Sequence, residues 1–149
     1  MKLRAATPED AQAIRDLLTR CRLPTDDLAT SHPEFVVACQ GARIIGIGAL
    51  ERFGSTALLR SLAVESGRRG AGIGGFIVEE LERRARQTGV IELVLLTETA
   101  REFFAHRGYE VIDRGLAPES IRSTAEFHSL CPVSAVCMRK LTEARTVRS

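Results

Sequence analysis

The chain has 149 residues, 44% of them hydrophobic and 27% charged, an ordinary balance for a folded globular domain that excludes wholesale disorder. Its 21 Lys and Arg against 19 Asp and Glu leave a net charge of +2, which excludes a general polyanion binder and predicts no nucleic-acid partner. No apolar run approaches the ~20 residues that span a bilayer, and Met1-Lys2-Leu3-Arg4-Ala5 does not read as a secretory leader, so a cytoplasmic protein with no membrane partner is predicted.

Residues 2–6 read as a first strand. Thr7-Pro8-Glu9-Asp10 then starts a helix: Thr7 caps, Pro8 suits the first helical position, and the acids favour the positive end. Ile14, Leu17, Leu18 and Cys21 recur at helical spacing, and Pro24 is the predicted stop. A short polar helical piece is predicted over 26–31. Residues 34–39 and 43–52 read as strands joined by Gln40-Gly41, a hairpin, and a turn at Phe53-Gly54-Ser55 leads into a fourth strand over 56–64.

A Gly/Arg loop over 65–72 precedes a helix with Ile73, Ile77, Leu81 and Ala85 on one side and Glu79, Glu82, Arg83 and Arg86 on the other, ending at Gly89. Residues 90–96 are almost continuously apolar, as in a strand buried on both faces in a parallel pairing. A helix over 99–107 stopped by Gly108, a strand over 109–112, a helix over 118–130 and a closing strand over 134–141 follow. Antiparallel strands first, then alternating strands and helices, predict an α/β (α+β) fold: one mixed, mostly antiparallel sheet with a central parallel pair, flanked by helices. Residues 1–141 are expected to form a single domain, with 142–149 a polar tail.

Cys21, Cys39, Cys131 and Cys137 are scattered and lack paired CxxC spacing, so no metal site is predicted. Cys39 and Cys137 lie in apolar runs and read as buried hydrophobes, and soft-metal binding by Cys131 with Cys137 stays open.

The informative stretch is Arg68-Arg69-Gly70-Ala71-Gly72-Ile73-Gly74-Gly75, between a strand and a helix. Glycines let a backbone approach a ligand, and a helix start offers free N–H groups and a positive dipole end, so the loop is suited to phosphate. Arg68 and Arg69 are placed to add charge-assisted contacts, and a solvated basic turn is the plainer alternative. A Walker loop is excluded because Phe76-Ile77, not Lys-Ser/Thr, follows the last glycine. Gly70-x-Gly72-x-x-Gly75 formally matches the dinucleotide fingerprint, but residues 65–69 separate it from the strand, and the chain is too short for a doubly wound sheet with a substrate domain.

Arg69-x-x-Gly72-x-Gly74 resembles the pyrophosphate loop of the GNAT superfamily of N-acetyltransferases, where it holds acetyl-coenzyme A. Leu62-Ala63-Val64 resembles that family's bulged fourth strand, and residues 97–109, with Ala100, Phe103, Phe104 and Gly108-Tyr109, resemble its stretch after the fifth strand. Residues 95–109 are similar to amino-acid N-acetyltransferases of the N-acetylglutamate synthase type. Residues 58–64 and Glu126-Phe127-x-Ser129-Leu130-Cys131-Pro132 resemble the small acetyltransferases found with arsenic-resistance genes.

The resemblance implies the GNAT fold and direct acetyl transfer from acetyl-CoA, without a metal, to the amine of a small molecule, an amino acid or an amine-bearing toxic analogue. It implies that backbone groups of Leu62, Ala63 and Val64 orient the thioester and stabilise its carbonyl oxygen. Backbone N–H groups of Arg69, Gly70, Ala71, Gly72, Ile73 and Gly74 would hold the pyrophosphate. Thr97 stands where many relatives place an asparagine that touches the pantetheine arm. Phe104 stands where many place a tyrosine that protonates the leaving thiolate, leaving water, Ser129 or Cys131 for that task. Many relatives dimerise, so a homodimer is compatible with the resemblance.

An alkyl amine is mostly protonated at neutral pH, so a base is needed, and Glu51 on the third strand is the candidate. Arg60 lies mid-strand among apolar neighbours, where a lone charge is costly; either a substrate carboxylate or Glu51 would pair with it. His32, His106 and His128 are not assigned to catalysis. Two other functions stay open: a protein N-terminal or lysine acetyltransferase, and a non-catalytic acetyl-CoA sensor or arsenic-responsive binding protein, the latter favoured by Phe104 and by Cys131 with Cys137.

Overall fold

The computed structural model describes residues 1–68, 70, 72–127 and 134–142. Its strands are β1 (Lys2–Ala5), β2 (Glu34–Gln40), β3 (Arg43–Phe53), β4 (Thr56–Val64), β5 (Glu92–Thr97), β6 (Glu110–Ile112) and β7 (Val136–Leu141). The helices are α1 (Ala11–Arg20), α2 (Leu28–Ser31), α3 (Ile73–Gln87), α4 (Arg101–Ala105) and α5 (Glu119–Arg122). The strands form one sheet in the order β1-β2-β3-β4-β5-β7-β6, mostly antiparallel (β1 with β2, β2 with β3, β5 with β7 and β7 with β6) and with β4 and β5 parallel, as the sequence predicts. The chain divides into two compact units: Met1–Glu51 with Leu59–Arg84, and Arg52–Leu58 with the chain from Ala85 onward.

In the first unit, α1 buries Ile14, Leu17 and Leu18 against Val37, Cys39, Ile47 and Ala63. Each such side chain contributes about 1.5–3 kcal/mol by leaving water. Ahead of α1, Asp10 Oδ2 accepts from the Thr7 backbone N–H and from Arg4 Nη1, both at 2.7 Å. These bonds, Arg4's first, bring the Asp10 carboxyl down to about 2.

The helix stops at Arg20, before the predicted Pro24. Arg22 takes φ +59, its N–H donates to the Thr19 carbonyl (3.1 Å), and the Leu23 N–H donates to the Leu18 carbonyl (2.9 Å). This left-handed closure satisfies the last carbonyls without the proline.

Helix α3 lies close against β3 because Gly46 and Gly48 present no side chain. A Cβ at Gly48 would sit 2.7 Å from Ile77 Cγ2 and 3.0 Å from Leu81 Cδ1; one at Gly46 would sit 2.9 Å from Ile77 Cδ1. The predicted apolar face of α3 is therefore seated on bare backbone. Glu82, predicted on the solvent face, is instead buried: it follows Leu81 at the edge of that face and is carried under with it.

In the second unit, β4 and β5 pair through Thr56↔Glu92, Ala57↔Leu93 and Leu58↔Val94. A core of Leu58, Val94, Ala117, Ile121, Phe127 and Cys137 lies beside them. Helix α4 is shorter than the predicted 99–107: the Thr97 hydroxyl accepts from the Ala100 N–H (3.0 Å), keeping residues 98–100 in a turn. Gly108 closes the far end at φ +94. Of the helix predicted over 118–130, Glu119–Arg122 forms α5 and residues 125–127 are again helical after a break at 123–124; a 3-10 turn at Arg114–Leu116 precedes α5, and residues 128–130 lie outside the described ones. Strand β7 was predicted to close the sheet. It lies between β5 and β6, bonded to both, so the short β6 forms the edge.

Candidate active site

Strand β4 is the axis of the site. Residues 57–61 and 63 are buried, and the strand carries one charge, Arg60, whose side chain is fully buried. A charge in that position must be matched nearby. Arg60 Nη1 donates to Asp27 Oδ2 and Nη2 to Asp27 Oδ1, each at 2.7 Å, a bidentate fork. Nη1 also donates to Glu51 Oε1 at 3.2 Å. Of the two partners the sequence left open for Arg60, Glu51 is present.

Asp27 is the residue the sequence reading missed. It immediately precedes α2, where Ser31 Oγ donates to its carbonyl (2.9 Å) and lies 3.4 Å from its Oδ2. Its carboxyl is held below the ordinary carboxylate range, chiefly by the Arg60 hydrogen bonds. The available signal was indirect: a mid-strand arginine needs carboxylates, and Thr25-Asp26-Asp27-Leu28 offered two ahead of a helical piece. Helix α2 and the residues after it also line a cavity of about 620 Å³, whose walls include Leu28, His32, Pro8, Phe35 and Arg84.

Next to Arg60, Ser61 takes φ +60, a left-handed residue inside a strand. Its hydroxyl oxygen is buried without a partner among the described residues. Backbone strain and an unmet donor thus coincide one residue before Leu62-Ala63-Val64, the segment expected to be bulged. Of that segment, Ala63 is buried, while Leu62 and Val64 are partly exposed.

The glycine loop follows β4. Gly70 and Gly72 have φ of +87 and +81. A Cβ at Gly70 would meet nothing within 4 Å, and one at Gly72 only the Phe76 ring at 3.8 Å. Glycine is required there by the backbone turn rather than by crowding, and the space beside the loop is open to a ligand. The Phe76 N–H donates to the Gly72 carbonyl (3.1 Å), so Gly72 caps α3 and the N–H groups of Gly72, Ile73 and Gly74 precede the first N–H to donate within the helix. The first turn of α3 has no acid. These features fit a pyrophosphate. Arg69 and Ala71 lie outside the described residues. Arg68 Nε lies 3.6 Å from Glu65 Oε1, and Glu65 is also bound by Arg43.

In the second unit, the Thr97 hydroxyl oxygen accepts from Ala100 and retains its proton to donate. Phe104 is buried in edge-to-face contact with Phe103 (5.0 Å) and Tyr109 (5.3 Å). Tyr109 is buried, with Lys140 Nζ 5.4 Å from its ring centroid. His106 Nδ1 lies 2.8 Å from the Glu102 carbonyl, and His32, at φ +49, is exposed at the end of α2. His128, Ser129 and Cys131 lie outside the described residues; Cys137 is buried.

Comparison with known proteins agrees with this geometry. Residues 31–111 match the acetyltransferase (GNAT) domain family. The chain superposes on N-acetylglutamate synthase from Neisseria gonorrhoeae, complexed with coenzyme A and N-acetyl-glutamate, with a TM-score of 0.82 and 20% identity. That match covers 94% of this chain and 34% of the synthase, so the chain spans about a third of the synthase's length. It superposes on Rv2747 from Mycobacterium tuberculosis, solved with coenzyme A and a second ligand, with a TM-score of 0.80 and 26% identity over 95% and 99% of the two chains. An aminoglycoside 6'-N-acetyltransferase complexed with coenzyme A matches over the whole of both chains, with a TM-score of 0.73 and 18% identity. With the domain match, the seven-stranded sheet and the glycine loop in agreement, the chain belongs to the GNAT acetyltransferases, which transfer an acetyl group from acetyl-CoA to an amine.

Proposed function

We propose that the acceptor is the free amine of a small molecule, an amino acid or an amine-bearing toxic analogue. The observation that carries this reading is the carboxylate of Glu51 on β3, held by Arg60 of β4, the neighbouring strand that leads into the glycine loop. Relatives of the same fold act on, or were solved with, small amine-derived molecules: N-acetyl-glutamate in the synthase and an aminoglycoside in the 6'-N-acetyltransferase.

Bound acetyl-CoA supplies the activated acetyl carbonyl. The backbone N–H groups of Gly70, Gly72, Ile73 and Gly74, with those of Arg69 and Ala71, hold its pyrophosphate at the start of α3. Backbone groups of Leu62, Ala63 and Val64 align the thioester and polarise its carbonyl, and the Thr97 hydroxyl donates to the pantetheine arm. Glu51 accepts the proton that the ammonium must lose, directly or through one water. Phe104 has no proton to give, so the thiolate leaves without a tyrosine acid. Residues 1–141 work as one acetyl-CoA-binding domain.

The test is thiol release from acetyl-CoA by the purified chain against amino acids, arsenic-bearing amino-acid analogues, an aminoglycoside and lysine-containing peptides. Turnover of a small amine with the peptides inert is the expected outcome. Turnover of peptides alone would make it a protein acetyltransferase, and tight acetyl-CoA binding with no turnover would make it a binding protein.

A further inference from the structure

The chain has 6 Phe, 1 Tyr and no Trp. All of these rings are buried or partly buried except that of Phe76, which is 51% exposed. Phe103, Phe104 and Tyr109 meet one another or a cation, whereas Phe76 takes part in no ring or cation–π contact among the described residues. A single exposed apolar side chain is ordinary, and it is the position of this one that carries information.

Phe76 stands in the first turn of α3, where its N–H donates to the Gly72 carbonyl (3.1 Å). Side chains on a helix lean toward its N-terminus, so the ring is laid back toward the glycine loop. The distance agrees: Phe76 Cε2 lies 3.8 Å from the place a Gly72 Cβ would take. Ile73, Ile77 and Leu81 turn a different side of the helix to Gly46 and Gly48 on β3, so the sheet does not use the Phe76 ring.

We propose that Phe76 is the platform on which the adenine of acetyl-CoA stacks, a cofactor-binding residue additional to the N–H groups of the loop. The inference rests on the reading of the glycine loop as the pyrophosphate cradle.

The pyrophosphate of coenzyme A carries pantetheine on one side and adenosine on the other. With the phosphates at the start of α3 and the pantetheine arm leading to Leu62-Ala63-Val64 on β4, the nucleoside departs on the side away from that strand. The Phe76 ring is there at the loop, exposed and unengaged. Every base has a π-face, and an aromatic side chain offers it a flat apolar partner. Truncating such a partner to alanine costs roughly five- to a hundredfold in affinity. The contact lies at the far end of the cofactor from the thioester, so it acts equally on the ground state and the transition state. Its loss raises KM for acetyl-CoA and leaves kcat in place.

The lack of tryptophan makes a direct test possible, because Phe76→Trp introduces the sole indole of the chain. Its emission is titrated with coenzyme A, with the adenosine bisphosphate that forms its nucleotide end, and with pantetheine. Saturable quenching by the first two and none by pantetheine is the expected result. Calorimetry then compares wild type, Phe76→Ala and Phe76→Leu with coenzyme A and with phosphopantetheine, which lacks the nucleoside. Phe76→Ala is expected to weaken coenzyme A roughly five- to tenfold and to leave phosphopantetheine unchanged. Phe76→Leu keeps apolar area without a ring and is expected to match Phe76→Ala. The replaced side chain is exposed, and Ala and Leu are the better helix formers, so both variants keep the fold.

An indole indifferent to coenzyme A, wild-type affinity in Phe76→Ala, or an equal loss for phosphopantetheine each overturns the proposal. Gly72→Glu separates these failures from that of the cradle. Weakened coenzyme A binding in Gly72→Glu with wild-type binding in Phe76→Ala keeps the cradle and removes the platform. Unchanged binding in Gly72→Glu removes the cradle and the platform with it.

Discussion

Arg60 and Asp27 meet as a fork on a carboxylate, Nη1 to Oδ2 and Nη2 to Oδ1, both at 2.7 Å, with the arginine fully buried in β4 and the aspartate at the start of α2. The arginine holds the Asp27 carboxyl below its ordinary value, so Asp27 contributes stability that is present above the ordinary carboxylate range and is lost as pH falls through its folded value. Asp27→Asn leaves a buried guanidinium short of a charge and should cost about 3–5 kcal/mol at pH 7. Melting curves of wild type and variant should converge as pH falls below about 4. A gap that stays constant to acid pH would show that the charge of Asp27 is not what stabilises.

Gly72 has φ +81 and caps α3 at the open side of the loop. Gly72→Glu adds backbone strain of about 1–3 kcal/mol and sets a negative group where pyrophosphate should sit. Acetyl-CoA affinity measured by calorimetry should fall more than tenfold while the melting temperature drops by a few degrees. Unchanged affinity would remove the loop from the cofactor site.

Gly48 has no room for a side chain, since an added Cβ would lie 2.7 Å from the branched methyl of Ile77, itself fully buried. Gly48→Ala should therefore destabilise by about 1–3 kcal/mol through overpacking. Gly67, where an added Cβ meets nothing within 4 Å and the backbone is not left-handed, is the control for crowding. Urea denaturation should give a lower midpoint for Gly48→Ala with the slope preserved.

Burial pushes the Cys137 thiol up from 9.0 to about 11. At pH 8 very little thiolate forms in the folded state, and alkylation must wait for opening. Iodoacetamide at pH 8 should leave Cys137 unmodified in the native protein and modify it fully in urea, read by peptide mass spectrometry. A raised thiol value also means that this site's contribution to stability holds below about pH 9 and is lost as pH rises toward 11. Equal labelling rates with and without urea would show that the site is open.

The sequence by itself determined the order of the elements, because their periods are local properties of the chain. The apolar repeat of α3, the near-continuous run of β5 and the turn glycines each required their structure from neighbours within a few residues. It also determined the glycine loop, since left-handed backbone at Gly70 and Gly72 is a demand on those residues alone. Helix ends were less legible: α1 and α4 are closed by hydrogen bonds that a period does not report, such as Leu23 N–H to the Leu18 carbonyl and Ala100 N–H to Thr97 Oγ1.

Only the tertiary structure decided three matters. It placed β7 between β5 and β6, a choice of hydrogen-bonding partners among strands of similar composition. It buried Glu82, which shares a helical stripe with the buried Val78 and Ala85, so the covered face of α3 is wider than the row of Ile73, Ile77 and Leu81. It chose the partner of Arg60. The sequence showed that a charge stood in an apolar strand and that Glu51 was near in the chain; nothing local marked Asp27, because long-range pairing is fixed by where the packed chain brings a carboxylate, and burial makes that pairing obligatory.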